Sequence, residues 1–276
     1  MNILALDIGG TDVKYGFFCG EKEELGKFPV SDTGMSEKII EFIGGFDAEH
    51  IGICAPGPFD FKSGTALMIH KLKSLYGISL KALIKEKYPD AKTVFIHDST
   101  AFALGAMNGN PKLKNEHFCA VMLGTGLGYT RAEYGRVCVN ETETPQKSIW
   151  NNPFKDGIAE EYVSATAIIN RARSMGYDYN NVFDIATCAK SGDKDLCNLF
   201  YEVGRDLGEI ISEKQKDEGF ARLVIGGGVS LSWELMNTGF ESVCKIPHYA
   251  VENPQQCAVY GVKYCVLNGK ENIYKF

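Results

Sequence analysis

An α/β fold in two similar halves is predicted by three features of the sequence. Short apolar or β-branched runs closed by glycine alternate with longer stretches of helical period. Two apolar strands joined by a glycine-rich turn occur twice, near residue 10 and near residue 125, the mark of a duplicated fold rather than of an array. At 276 residues the chain is long for one compact core and suits two lobes with a cleft.

The elements follow in order. Residues 2–8 (NILALDI), 12–19 (DVKYGFFC) and 24–30 (ELGKFPV) read as three antiparallel strands joined by glycine-containing turns. Residues 35–44 predict a helix with Ile39, Ile40 and Ile43 on one face. HIGICA (50–55) is a buried strand, and SLKALIKEKY (79–88) an amphipathic helix opened by a serine cap. TVFIHD (93–98) is a strand that ends, like the first, on an aspartate, and STAFALGAM (99–107) continues as a helix of small residues. The pattern then restarts with strands at 117–124, 129–134 and 136–140. Residues 141–157 form the longest irregular stretch, and such loops usually carry function. Helices are expected over 158–175, 182–190 and 194–217, a strand over 222–226, and a closing helix over 254–267. The expected division is 1–108, completed by 254–276, against 109–253.

Bulk properties narrow the function. Hydrophobic residues at 45% and charged residues at 23% are ordinary for a globular protein. A net charge of -6 offers no basic footprint for nucleic acid and no attraction to anionic lipid. No apolar run reaches the length of a membrane span and no basic leader precedes the first strand, so a cytoplasmic protein is expected. The nine cysteines form no C-x-C or C-x-x-C pair, and several lie inside apolar patterns. Buried free thiols are therefore expected.

Three glycine turns carry the chemistry. In Asp7-Ile8-Gly9-Gly10-Thr11 a strand-end carboxylate meets a hairpin whose glycines leave backbone N–H groups open to phosphate oxygens. Thr11 adds a hydroxyl, and Asp7 is placed to hold Mg²⁺ through water. Gly124-Thr125-Gly126-Leu127-Gly128 is a second such turn between strands; it is neither a dinucleotide fingerprint nor a P-loop. Gly226-Gly227-Gly228 follows the strand at 222–226 and opens a helix whose N-terminus suits an anion or a nucleoside. Each turn alone would also serve as a plain hairpin. Their joint occurrence in this order is far more specific.

Together these residues resemble the sugar-kinase branch of the hexokinase and actin-like ATPase superfamily, and most closely the ROK family (repressors, open reading frames, kinases). The resemblance rests on DIGGTDVKYG (7–16), APGPFD (55–60), HDSTAFALGA (97–106), LGTGLG (123–128), GIAEEYVSA (157–165) and VIGGGVS (224–230). It implies a two-lobed actin-like, ribonuclease H-like fold of duplicated mixed sheets. It implies ATP and Mg²⁺ as cofactors and a hexose as acceptor, phosphorylated at the 6-hydroxyl. Asp7, Gly9, Gly10, Thr11 and Lys14 would form the first phosphate loop, Gly124, Thr125, Gly126 and Gly128 the second, and Gly226, Gly227 and Gly228 the adenosine turn. Asp98 falls on the catalytic aspartate, since a sugar hydroxyl attacking a γ-phosphate needs a carboxylate to take its proton; the same residue could simply cap the helix at 99–107. Glu160, in the pattern Gly157, Glu160, Tyr162, Ser164, matches a sugar-contacting glutamate, and Gly57 and His97 join the substrate set. As a first-turn acid, Glu160 could equally serve its own helix.

The sequence also departs from the family. The histidine and C-x-C-x(4)-C cluster that binds zinc in many members is missing from 136–157, where only Cys138 remains, so no zinc is expected. The E-x-G-H sugar segment is missing too; Asn140, Glu141 and Glu143 lie in its region. Histidine at 97 stands where the family has asparagine. It divides donor and acceptor roles between two ring nitrogens, which implies a changed hydroxyl pattern in the substrate, unless it merely packs at the strand end. Lys71 and Lys73, in the segment bordering the sugar, are surface lysines or contacts for a negatively charged substrate. The family's repressors carry a preceding helix-turn-helix, whereas this chain starts at the phosphate strand, so no nucleic-acid partner is expected; a homodimer fits the family. The rival readings are a kinase with an N-acetylhexosamine or ketose acceptor, one with a polyphosphate donor, and a sugar- or nucleotide-binding regulator without turnover.

Overall fold

The computed structural model describes residues 1–69 and 72–275; Lys71 therefore lies outside the described residues. In chain order the elements are β1 (Asn2–Ile8), β2 (Asp12–Cys19), β3 (Lys22–Pro29), α1 (Met35–Ile43), β4 (His50–Ala55), β5 (Phe59–Asp60), β6 (Thr65–Ala66), α2 (Leu80–Lys87), β7 (Lys92–His97) and α3 (Asp98–Gly109). There follow β8 (His117–Leu123), β9 (Leu127–Glu133), β10 (Arg136–Val139), β11 (Pro153–Phe154), β12 (Gly157–Ile158), α4 (Glu160–Val163), α5 (Ala165–Ser174), α6 (Val182–Lys190) and α7 (Lys194–Glu218). The chain closes with β13 (Arg222–Gly226), a 3₁₀ turn (Gly228–Ser232), α8 (Trp233–Val243), β14 (His248–Ala250), α9 (Cys257–Asn268) and β15 (Ile273–Lys275).

Two compact units result: residues 1–115, 135–146 and 255–276, and residues 116–134 and 147–254. In the first, the sheet order is β3-β2-β1-β4-β7. β1 pairs antiparallel with β2 and parallel with β4. A central strand covered on both faces must be apolar throughout, and residues 3–8 of NILALDI are all buried. α1 buries Met35, Ile39, Ile40 and Ile43. Ser79 caps α2 by accepting the Ala82 N–H at 3.2 Å.

The second unit repeats the plan. Its strands run β14-β13-β8-β9, with β8 antiparallel to β9 and parallel to β13, and β13 parallel to β14. β8, β9, β13 and β14 therefore answer to β1, β2, β4 and β7, which is the duplication the sequence predicts. Each unit has its own apolar core, one built around Leu4, Leu6, Ile39 and Ile53, the other around Val121, Phe200, Leu223 and Phe240.

A second symmetry concerns helix contacts. In the first unit a Cβ on Gly105 of α3 would lie 1.9 Å from the Cys257 carbonyl oxygen, and one on Gly261 of α9 1.7 Å from that of Ala101. In the second unit Gly204 of α7 and Gly239 of α8 stand in the same relation to the carbonyl oxygens of Met236 and Tyr201, at 2.0 and 1.9 Å. Both pairs cross backbone against backbone, a separation only glycine permits.

The structure corrects several expectations. The helix expected over 158–175 is two helices, because Ser164 is extended (ψ 166) and caps α5 by accepting the Ala167 N–H. The triplet Gly226-Gly227-Gly228 opens a 3₁₀ turn before α8 rather than an α-helix directly. The closing helix begins at Cys257, after Pro254. All nine cysteines are free thiols, six of them buried. Among the described residues no helix is long and apolar enough to cross a membrane.

Candidate active site

In the first unit the carboxyl ends of β1, β4 and β7 are neighbours in the sheet, and chemistry collects there. Asp7 and Cys54 are register partners, as are Ala55 and His97. Asp7 is only 7% exposed; its Oδ2 pairs with Lys14 at 3.2 Å, and its Oδ1 accepts the Cys54 thiol at 3.4 Å. Burial pushes the Asp7 carboxyl above the ordinary aspartate range; Lys14 offsets part of this and the nearby Asp98 charge adds to it. Lys14, expected with the phosphate loop, is thus held on Asp7. In the hairpin Gly9 spends its N–H on the carbonyls of Asp7 and Asp12, at 3.2 and 3.0 Å. The expectation that its N–H stays open is corrected, since the turn itself consumes that donor; Gly10 and Thr11 are exposed.

Asp98 is the first residue of α3 and His97 the last of β7. The His97 Nδ1 lies 2.8 Å from Asp98 Oδ1, and the Ser99 N–H is 2.6 Å from the same oxygen and 3.2 Å from Nδ1. Two lone pairs cannot face each other at 2.8 Å, so the Nδ1 proton lies between the ring and the carboxylate, and the Ser99 N–H goes to the carboxylate. The Ser99 hydroxyl also donates to Oδ1, at 3.2 Å. Oδ1 is thereby saturated, and Oδ2 has no partner among the described residues. Burial raises the Asp98 carboxyl, but the His97 charge and hydrogen bond with the two Ser99 donors outweigh it and hold the group below the ordinary aspartate value.

The other ring nitrogen, Nε2, faces Gly57, where a Cβ would come within 3.5 Å of it and within 3.8 Å of the Thr144 methyl. Thr144 belongs to the loop that follows β10, and spacing in sequence gave no sign of it here. Asn140 and Glu143 of the same loop are engaged elsewhere, and Glu141 is exposed. Asn140 accepts from the N–H groups of Thr142 and Thr144, and Glu143 is bound by Lys270 and by Lys275. Lys73 is exposed.

In the second unit the glycine loop 124–128 joins β8 to β9, and the Gly226–Gly228 turn leaves β13 beside it. Gly227 has φ 83, and a Cβ there would lie 2.4 Å from the Leu123 carbonyl oxygen, so these two turns are in backbone contact. Gly124 donates to the Gly126 carbonyl and accepts from Ala165 N–H, while Thr166 donates to the Thr125 carbonyl. Thr125 itself is exposed. Glu160 opens α4, and its Oε2 accepts the Leu127 N–H at 2.7 Å. A Cβ on Gly126 would be 2.4 Å from that oxygen. The loop thus has glycine at 126 because a carboxylate occupies the space.

Paired mixed sheets with glycine turns at the strand ends make this the actin-like ATPase fold. A ROK family model matches residues 3–138, and over that stretch the chain is a ROK family sequence. It is 24% identical to a glucokinase of Thermotoga maritima, covering 86% of this chain and 84% of that protein. Among solved structures it resembles a ROK family glucokinase from Streptomyces griseus in complex with glucose and AMPPNP, with a TM-score of 0.81, 20% identity and coverage of 98% and 100% of the two chains. It also resembles a ROK hexokinase from Thermus thermophilus, with a TM-score of 0.73, 20% identity and coverage of 97% and 98%.

Proposed function

We propose that this protein is a sugar kinase that transfers the γ-phosphoryl group of ATP to a hydroxyl of a hexose, the 6-hydroxyl by family pattern. One observation carries the reading: Asp98 has one oxygen saturated by His97 and Ser99 and the other without a partner among the described residues. A carboxylate so held is oriented to receive one proton from one direction. It is a weak base, which suits a loose transition state in which the attacking hydroxyl is deprotonated late.

The remaining residues take roles their surroundings support. Glu160, fixed by the Leu127 N–H through Oε2, keeps Oε1 to accept from sugar hydroxyls. His97, with Nδ1 given to Asp98, turns Nε2 toward Gly57 as a polar contact for the substrate. Gly10 and Thr11 in the first unit and Thr125, Gly126 and Gly128 in the second would contact phosphate, and Gly226–Gly228 the adenosine. Asp7 fits Mg²⁺: it is a buried carboxylate at a strand end with a second aspartate, Asp98, near enough to repel it, a repulsion that a cation would relieve. Among the described residues no group of three or more ligating side chains gathers, and a metal held chiefly by water and phosphate does not need one. When bound, Mg²⁺ would offset the charge of the phosphates.

ADP release with ATP and Mg²⁺ across hexoses, hexosamines, N-acetylhexosamines and ketoses tests the proposal, with Asp98→Asn as control. Sugar-dependent release abolished in the control is the expected result. Release with polyphosphate alone, or nucleotide binding without turnover on any sugar, would replace the reading with a different donor or with a regulator.

A further inference from the structure

Close in sequence to Glu160, the second unit contains an ion cluster around a buried aspartate that no step above uses. Asp206 on α7 is 1% exposed. Its Oδ1 is 2.5 Å from Lys155 Nζ and its Oδ2 3.1 Å from Arg171 of α5. Lys155 occupies the two-residue turn between β11 and β12, and its ammonium lies 5.2 Å from the ring centroids of both Phe154 and Tyr162. Arg171 also donates to the Tyr162 carbonyl at 3.5 Å. A cavity of about 430 Å³ opens at this cluster.

Two observations set the cluster apart from an incidental ion pair. Lys155 has φ 52, the left-handed conformation that hairpin turns reserve for glycine. The turn thus holds a lysine where backbone energy favours glycine, and that lysine's side chain makes the ion pair with Asp206. The second is that α4 has only four residues, Glu160–Val163, too few to be stable alone. Its position is set from outside: the Ala159 and Glu160 N–H groups donate to the Asn152 and Trp150 carbonyls of the segment leading into the β11–β12 hairpin, while Arg171 and Lys155 hold Tyr162 from the other side.

We propose that Lys155, Asp206 and Arg171 form a clasp that positions Glu160 and thereby sets the affinity for the sugar. The clasp fastens the hairpin and α4 to α5 and α7 in the segment where the family's cysteine cluster is missing. These are positioning residues; none touches substrate. The inference rests on Glu160 being a sugar ligand.

The test measures sugar KM, ATP KM and kcat for Lys155→Gly, Lys155→Arg, Asp206→Asn and Glu160→Gln, with a thermal melt of each. Lys155→Gly suits the turn's backbone but takes one of two cations from the buried Asp206; Arg171 remains, and the melt checks that the variant folds. The clasp predicts that it nevertheless raises sugar KM by about tenfold with ATP KM unchanged, that Asp206→Asn does the same or more, and that Lys155→Arg restores most of the affinity. If Glu160→Gln raises sugar KM while Lys155→Gly leaves it unchanged, the clasp is overturned and the sugar reading stands. If Glu160→Gln itself leaves sugar KM unchanged, the reading of Glu160 fails, and the clasp fails with it.

Discussion

At the scale of residues, two aspartates near one another are pushed in opposite directions, and this gives them opposite signatures. Asp98 is held below the ordinary value of 3.8 by its donors against burial. Its contribution to stability is therefore complete above pH 3.8 and is lost as pH falls through its lower folded value. Asp98→Asn should cut kcat by about 10²–10⁴-fold, and sugar binding measured by calorimetry should persist; an active variant would remove it as the base. Asp7 is raised above 3.8 by burial and by Asp98, so it costs the fold stability that is absent below 3.8 and grows as pH rises to its folded value. Asp7→Asn should therefore raise the melting temperature at pH 7, with the gain vanishing below pH 3.8, while Mg²⁺-dependent turnover is lost. A melting temperature that falls at pH 7 would show that the Lys14 ion pair outweighs the burial. Asp7 and Asp98 were legible in the sequence as candidates because a carboxylate at a strand end is a local signal, and Glu160 through the family resemblance of the pattern Gly157, Glu160, Tyr162, Ser164. Cys54, Thr144 and Asp206 were not: each reaches its place through pairing of distant strands or packing of helices.

At the scale of elements, the same principle separates what could be read from what could not. Strands flanked by glycine and helices with isoleucines at helical spacing announce themselves, as β1, β4 and α1 do. The break at Ser164 hides inside a continuous helical pattern and appears only as a serine that chooses to cap. β14 and β15, of three residues each, exist because a neighbouring strand edge is present, and nothing in their own residues requires them. Glycines inside α3, α7, α8 and α9 look like weak points by propensity; their reason is the helix crossing. Gly261→Ala would drive its Cβ into the Ala101 carbonyl at 1.7 Å and should cost about 3 kcal/mol. Because α3 carries Asp98 at its first position, kcat should fall in whatever fraction remains folded. Chemical denaturation with a parallel rate assay checks both, and an unchanged midpoint would mean the helices can part without loss.

At the scale of the whole molecule, duplication was readable from two glycine-turn hairpins, but the assignment of residues 135–146 to the first unit was not. Residues 135–146 leave the second unit's stretch and run with the first, where β10 pairs with β15. That pairing joins residues 137–139 to 273–275, a separation no local pattern encodes. Each unit nevertheless has a core whose members come from that unit alone, so each has its own reason to stay folded. Cooperative opening should follow these cores. In hydrogen exchange at low denaturant, amides of 116–134 and 147–254 should share one opening free energy and those of the remaining chain another. Phe240→Ala, which empties a fully buried site in the second core, should lower the first of these by about 3–5 kcal/mol and leave the second within about 0.5 kcal/mol. An equal loss in both sets would mean the chain opens as one unit despite its two cores.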